Sequence, residues 1–259
     1  MIWGATVSSQ TYLQDLLNGQ SLSVQEYDVL RGLRERIEHA LSPLDGSPRY
    51  RYGGSYGKQT IIRERYDLDV VAYWSNDTNY TIKGIYDGVG NQLRKEFTYI
   101  RSKTVAWEIQ FEGGFHVDVV PGRALDVNFF ETNLYRTDTG TTLKTSLKTH
   151  IDTVKGSGRR DVIRLMKLWR ERRRVPFKKS FLLELMTIYG CNGTPFAELG
   201  PQVIAALEYI RDNIETKQIL DPANTNNFLS DDISMADKTR IRIAAQASLN
   251  ASYWSEVFA

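Results

Sequence analysis

Two stretches of this sequence hold residues whose types and spacing can do chemistry. Residues 53–71 read Gly-Gly-Ser-Tyr-Gly-Lys-Gln-Thr-Ile-Ile-Arg-Glu-Arg-Tyr-Asp-Leu-Asp-Val-Val, and residues 115–121 read Phe-His-Val-Asp-Val-Val-Pro. The first puts Asp67 and Asp69 at i and i+2. Side chains two apart on a strand point to one face, so both carboxylates can reach the same cations. Asp118 lies inside an apolar run, where an ionised carboxylate must be compensated by a cation or by hydrogen bonds. Asp is also depleted in strands, which makes a bound metal the economical reason for finding it there. Gly54 and Ser55 precede the Asp pair by about a dozen residues, in a turn whose hydroxyl and N–H groups can hold phosphate. Three carboxylates beside such a turn are the equipment of two-metal nucleotidyl transfer.

Each motif also has a plainer reading. Gly-Ser pairs end many strands, and Asp67 and Asp69 could be surface residues at a strand start. Lys167 falls on the polar side of a helix and could be one more solvated lysine. Order along the chain, turn first and carboxylates after, favours the chemical reading.

The elements that must position these residues are legible in outline. Ser23 and Glu26 form a Ser-x-x-Glu capping box, followed by an apolar stripe of Tyr27, Leu30, Leu33, Ile37 and Leu41 ending near Pro43. Strands are predicted over 49–52, 68–74, 106–111 and 115–120 from their β-branched and aromatic content. Val89, Leu93 and Phe97 predict a helix over 86–99. After about residue 150 the pattern turns helical. Val162, Leu165, Met166 and Trp169 define one amphipathic helix, and others are predicted over 181–189, 203–214 and 240–254. The fold class is therefore α+β, with a mixed-sheet lobe over 1–150 and an all-helical lobe over 151–259.

Composition narrows the setting. The chain has 259 residues, 41% hydrophobic and 25% charged, which is ordinary for a globular protein. No run approaches the length of a membrane span and the N-terminus lacks a signal-peptide pattern, so a cytoplasmic enzyme is expected. Cys191 is the single cysteine, which excludes an intrachain disulfide and a cysteine-rich zinc site. From Arg159 to Lys179 there are ten Lys and Arg against Asp161 and Glu171, in a chain whose net charge is only +2. Such a block suggests a phosphate partner or a solvated helix face.

Taken in order, these motifs resemble the nucleotidyltransferases of the DNA polymerase beta superfamily. The branch they resemble holds the oligoadenylate synthases and the bacterial cGAS/DncV-like nucleotidyltransferases. Gly54-Ser55 and Asp67-Leu-Asp69 match the core motif, and Phe115 to Pro121 matches the strand of the third carboxylate. Arg164-Leu-Met-Lys-Leu-Trp169, Ser180-Phe-Leu-Leu-Glu-Leu185 and Asp221-Pro-Ala-Asn match later elements, so the likeness runs from about residue 50 to 230.

The resemblance implies a polymerase-beta-like lobe and a helical lobe with the nucleotide bound between them. It implies Asp67, Asp69 and Asp118 as catalytic, metal-holding residues, with two Mg²⁺ ions or Mn²⁺ in their place. Gly54, Ser55, Lys167 and Ser180 would bind the nucleotide. Phe181 stands where relatives often carry Tyr, and Glu184 would be structural. The implied product is a cyclic di- or trinucleotide messenger made from nucleoside triphosphates. It would act on an effector protein in bacterial anti-phage (CBASS) signalling, with no nucleic-acid activator and no membrane partner. The alternatives are transfer of a nucleotide to an antibiotic, protein or RNA end, and linear oligoadenylate synthesis.

Overall fold

Ser23 and Glu26 close the capping box that the sequence predicts. The Ser23 hydroxyl accepts from the Glu26 amide at 3.2 Å, and the Ser23 amide donates to the Glu26 carboxylate at 2.7 Å. The helix begun there is the second element of the computed structural model, which describes residues 7–259. In chain order the first elements are α1 (Val7–Gly19), α2 (Val24–Leu41), β1 (Arg49–Tyr52), α3 (Gly54–Lys58), β2 (Leu68–Trp74) and α4 (Ile82–Glu96). Then come β3 (Ile100–Ser102), β4 (Trp107–Gln110), β5 (His116–Ala124), β6 (Thr132–Tyr135), β7 (Thr142–Thr145) and α5 (Leu147–Gly156). The remainder comprises α6 (Arg160–Arg172), α7 (Ser180–Gly190), α8 (Leu199–Asn213), the hairpin β8 (Leu220–Asp221) and β9 (Asn224–Phe228), α9 (Met235–Leu249) and α10 (Trp254–Val257).

These elements group into two compact units. One consists of Leu22–Lys58 with Tyr66–Ile151; the other takes the described residues up to Ser21 with Gln59–Arg65 and Asp152–Ala259. The chain passes from the first unit to the second after Ile151, and α1 and the 59–65 segment are grouped with the later helices. Leu13 and Leu17 explain why α1 is: both are buried in the helical core beside Val162, Leu165 and Val203.

In the first unit the sheet runs β1-β2-β5-β4-β3, with β6 pairing the far end of β5 and β7 pairing β6. Only β2 and β5 run parallel; the other pairs are antiparallel. One face is apolar. Leu68, Val70, Val117 and Val119 are fully buried on it, and Trp107 from β4 lies so close to α4 that a Cβ on Gly90 would meet its ring at 2.3 Å. Because strand side chains alternate, the residues between these, Asp69, Asp118 and Glu108, all face the other way.

Several boundaries differ from expectation. The helix predicted over 86–99 begins at Ile82, because the Thr81 hydroxyl caps it by accepting from the Gly84 amide at 3.0 Å. It stops at Glu96, where Phe97 turns extended. The strand predicted over 115–120 continues to Ala124 through Pro121. That proline falls between the stretch pairing β4, which ends at Val119, and the stretch pairing β6, which starts at Arg123, so it interrupts neither ladder. Short strands β3, β6 and β7 carry too little alternation to be read from sequence.

The helical unit is built on α6. Val162, Leu165, Met166 and Trp169 are buried as predicted, but so are Ile163, Lys167 and Leu168, because neighbouring chain covers the helix on its other side too. The helix predicted over 240–254 is displaced to Met235–Leu249. Ser234 caps it by accepting from the Asp237 amide at 3.2 Å, and Asn250 ends it. Among the described residues no helix is long and apolar enough to cross a membrane.

Candidate active site

Asp69 and Asp118 are direct register partners in the parallel pair β2–β5, and Asp118 and Glu108 are partners in the antiparallel pair β5–β4. Three adjacent strands therefore set three carboxylates in one row across the polar face of the sheet. Asp67 lies just ahead of β2, with its Oδ2 3.6 Å from His116 Nε2. The sequence pattern brought together Asp67, Asp69 and Asp118, and the fold does so through register.

The Gly-Ser pair, expected in a turn, opens the short helix α3, and the loop from Gly53 into that helix stands against this row. The Gly53 amide donates to the Asp69 carbonyl at 2.8 Å, which ties the turn to β2. Gly54 has φ +47°, and a Cβ there would stand 1.6 Å from Asp69 Oδ2. Only glycine fits, both for backbone conformation and for space. The adjoining Ser55 Oγ is buried with no hydrogen-bond partner among the described residues. A buried hydroxyl without a partner carries a desolvation cost that a bound phosphate oxygen would remove.

Charge in the row is compensated only in part. Burial, then the charges of Asp67 and Asp118, push the Asp69 carboxyl up to about 7, while Lys58 and Lys103 pull it down. Burial also raises Asp118, opposed by its hydrogen bond from Lys103. Asp118 uses Oδ2 to accept from Lys103 Nζ at 2.5 Å, whereas its Oδ1 is buried without a partner. Glu108 behaves differently. Despite burial its carboxyl is lowered to about 2, because Gln110, Arg101 and Lys103 surround it. Glu108, His116 and Asp118 each offer a ligand atom within 4.8 Å of the others. Crowded carboxylates, one oxygen of them unpartnered, fit a divalent cation.

Lys103 and Glu108 were missed by sequence reasoning. A strand was predicted over Glu108, but nothing in the sequence gives its register against β5. Lys103 sits in the β3–β4 turn, which had no signal at all.

The residues expected from the later motifs are placed in the helical unit. Lys167 is 3% exposed; its ammonium is 2.6 Å from Glu184 and donates to the Thr60 hydroxyl at 2.8 Å and carbonyl at 3.2 Å. Lys167 therefore stands buried with its charge paired to Glu184 inside the unit, whereas the resemblance puts it on the triphosphate. Glu184 is fully buried and pairs with Lys167. Ser180 opens α7, and its hydroxyl accepts from Arg170 at 2.7 Å. Trp169 is a core residue whose Nε1 donates to Ser248 at 2.9 Å. Asp221 caps a tight turn, accepting from the Ala223 amide at 2.9 Å.

The basic block is largely tied up within its own unit. Arg172 holds Glu64 and the Phe258 carbonyl, Arg164 donates to the Ile61 and Leu17 carbonyls, and Arg65 pairs with Glu171. Most of these contacts fasten the 59–65 segment.

No protein-family model matches the chain. It is 25% identical to the cyclic AMP-AMP-AMP synthase of Escherichia coli (strain MS 115-1), over 95% of this chain and 94% of that protein. The solved structure of E. coli MS115-1 CdnC with ATP superposes with a TM-score of 0.74 at 24% identity, covering 96% of this chain and 97% of that one. Vibrio cholerae DncV cyclic AMP-GMP synthase, bound to the linear intermediate 5′ pppA(3′,5′)pG, superposes at 0.78 with 16% identity, over 96% and 93% of the two chains. The fold is thus the α+β fold of these enzymes.

Proposed function

We infer that this chain is a cGAS/DncV-like nucleotidyltransferase, and we propose that it joins nucleoside triphosphates into a cyclic di- or trinucleotide. The observation that carries the reading is the Asp69–Asp118 register pair, with Asp67 alongside and an unpartnered Ser55 hydroxyl at the adjoining turn. The near full-length likeness to a cyclic AMP-AMP-AMP synthase supports it and makes ATP the first substrate to test.

In this reading Ser55 donates to the triphosphate and Gly54 lets it approach closely. Asp118 orients the acceptor ribose through its unpartnered Oδ1. The acceptor hydroxyl gives up its proton to solvent, its oxygen bonds to the α-phosphorus, the bond from that phosphorus to the bridging oxygen breaks, and pyrophosphate leaves. Asp67, Asp69 and Asp118 would hold two divalent ions, Mg²⁺ or Mn²⁺, which when bound lower the acceptor hydroxyl pKa and neutralise the leaving charge. The same transfer repeats for each further nucleotide, and the last one, within the bound linear product, closes the ring. The product would act on an effector protein in CBASS anti-phage signalling, in the cytoplasm.

A nucleic-acid activator is not part of the proposal. Arg164 is held on the Ile61 and Leu17 carbonyls and Arg172 on Glu64, inside their own unit, so these side chains have a use that needs no polyanion.

The test is incubation with each labelled nucleoside triphosphate, singly and in pairs, with Mg²⁺ or Mn²⁺ and no nucleic acid, followed by phosphatase. A phosphatase-resistant product is expected, and Asp67→Asn with Asp69→Asn should abolish it while the protein stays folded. Products that remain phosphatase-sensitive would point to linear synthesis. No product from free nucleotides, with transfer only to an added acceptor, would overturn the reading.

A further inference from the structure

Lys103 stands at the centre of the acidic row without belonging to any motif. Its Nζ is 2.5 Å from Asp118 Oδ2 and 3.5 Å from Glu108 Oε2, so it bridges two carboxylates that face each other across β4 and β5. The bridge leaves Asp118 Oδ1 as its buried, unpartnered oxygen.

The turn that carries Lys103 is itself held. Tyr86 from α4 reaches it with its hydroxyl, which lies 2.9 Å from the Lys103 carbonyl, 3.0 Å from the Ala106 carbonyl and 2.8 Å from Ser102 Oγ. The Lys103 amide donates across the turn to the Ala106 carbonyl at 2.8 Å, and Thr137 Oγ1 is 3.2 Å from the Lys103 carbonyl. So many contacts on a four-residue turn fix where its lysine stands.

We propose that Lys103 is the positioning residue for Asp118. The ammonium shares Glu108 with Arg101 and clamps Oδ2, so that Asp118 presents one oxygen, Oδ1, in one orientation. This rests on the reading of Asp67, Asp69 and Asp118 as the carboxylates of the reaction. Lys103 acts through Asp118 and not on the nucleotide. Its removal therefore lowers the rate of the bound complex and leaves nucleotide binding alone.

The test compares Lys103→Met, Lys103→Arg and Tyr86→Phe with Asp67→Asn and Asp118→Asn as controls. Lys103→Met should lower kcat about tenfold or more, as expected when a reacting group is misplaced, with KM for nucleotide within about twofold of wild type. Lys103→Arg should recover part of the loss, and Tyr86→Phe should show a smaller loss in the same direction. Mn²⁺ titration of the nucleotide-free protein by calorimetry should show binding by Lys103→Met at least as tight as wild type, because a competing positive charge is gone. The metal-free melting temperature of Lys103→Met should fall, and adding Glu108→Gln should restore it without restoring kcat. Wild-type kcat in Lys103→Met, with both Asp variants inactive, overturns the positioning role alone. A raised KM at unchanged kcat overturns it in favour of direct phosphate contact. If Asp67→Asn and Asp118→Asn remain active, the underlying site reading fails and this proposal with it.

Discussion

Gly54 and Asp69 are in contact so close that a single methyl group at Gly54 would stand 1.6 Å from the Asp69 carboxylate. Turn and strand are therefore one device, in which the glycine sets how near the Ser55 hydroxyl comes to the row of carboxylates. Gly54→Ala should displace Asp69 and strain a backbone at φ +47°. A loss of about a hundredfold in turnover is expected for a shift of that size. A crystal structure of the variant with Asp69 unmoved, or wild-type turnover, would show that the contact does not govern the site.

Ser55→Ala tests the same turn more gently. The deleted hydroxyl has no partner among the described residues, so the melting temperature without nucleotide should not fall. With nucleotide present, KM should rise and kcat drop, since a hydrogen bond to a charged phosphate is worth about 1.5–3 kcal/mol. If both constants are unchanged, the turn is only a connection between β1 and β2.

Asp69 gives the metal-free protein a pH signature. Its carboxyl is held up to about 7, against an ordinary 3.8, by burial and by the charges of Asp67 and Asp118. Between those values the folded protein keeps a proton that the unfolded chain has released. The stability from that proton is complete below about pH 4 and is lost as pH rises through about 7. In EDTA, melting temperature should therefore decline from about pH 5 to 7.5, and Asp69→Asn should flatten the decline. Equal slopes in the two proteins would remove Asp69 as the cause. Mg²⁺ should restore stability at the alkaline end in wild type but much less in Asp69→Asn.

Lys167 offers a prediction opposite to the one its motif suggests. Removing it leaves Glu184, which is fully buried, without its charge partner. Lys167→Ala should cost about 3–5 kcal/mol of stability in urea unfolding, typical of breaking a buried pair from one side. Lys167→Met with Glu184→Leu should regain most of it. A stable Lys167→Ala protein with a raised KM for nucleotide would return the lysine to the phosphate-binding role.

The sequence by itself determined the chemistry-bearing core. Asp118 is recognisable because a carboxylate is costly within an apolar strand run, and Asp67 and Asp69 because their i, i+2 spacing can serve one site; both signals are written locally, in residue types a few positions apart. Gly54 and Ser55 are legible for the same reason. So are α6 and the capping box of α2, since a periodic stripe and a cap are local patterns. What only the tertiary structure decided are the partners. Register, not composition, sets Glu108 opposite Asp118, and a turn of no special composition brings Lys103 between them. Lys167 looked solvent-facing because one helix pattern shows only the side that helix buries. The chain that covers its other side, Thr60 and Glu184, lies far off in sequence. The same distance effect draws α1 and the 59–65 segment into the helical unit, through Leu17 and the arginines of α6. Local patterns state what a residue must be compensated for; long-range packing chooses the group that compensates it.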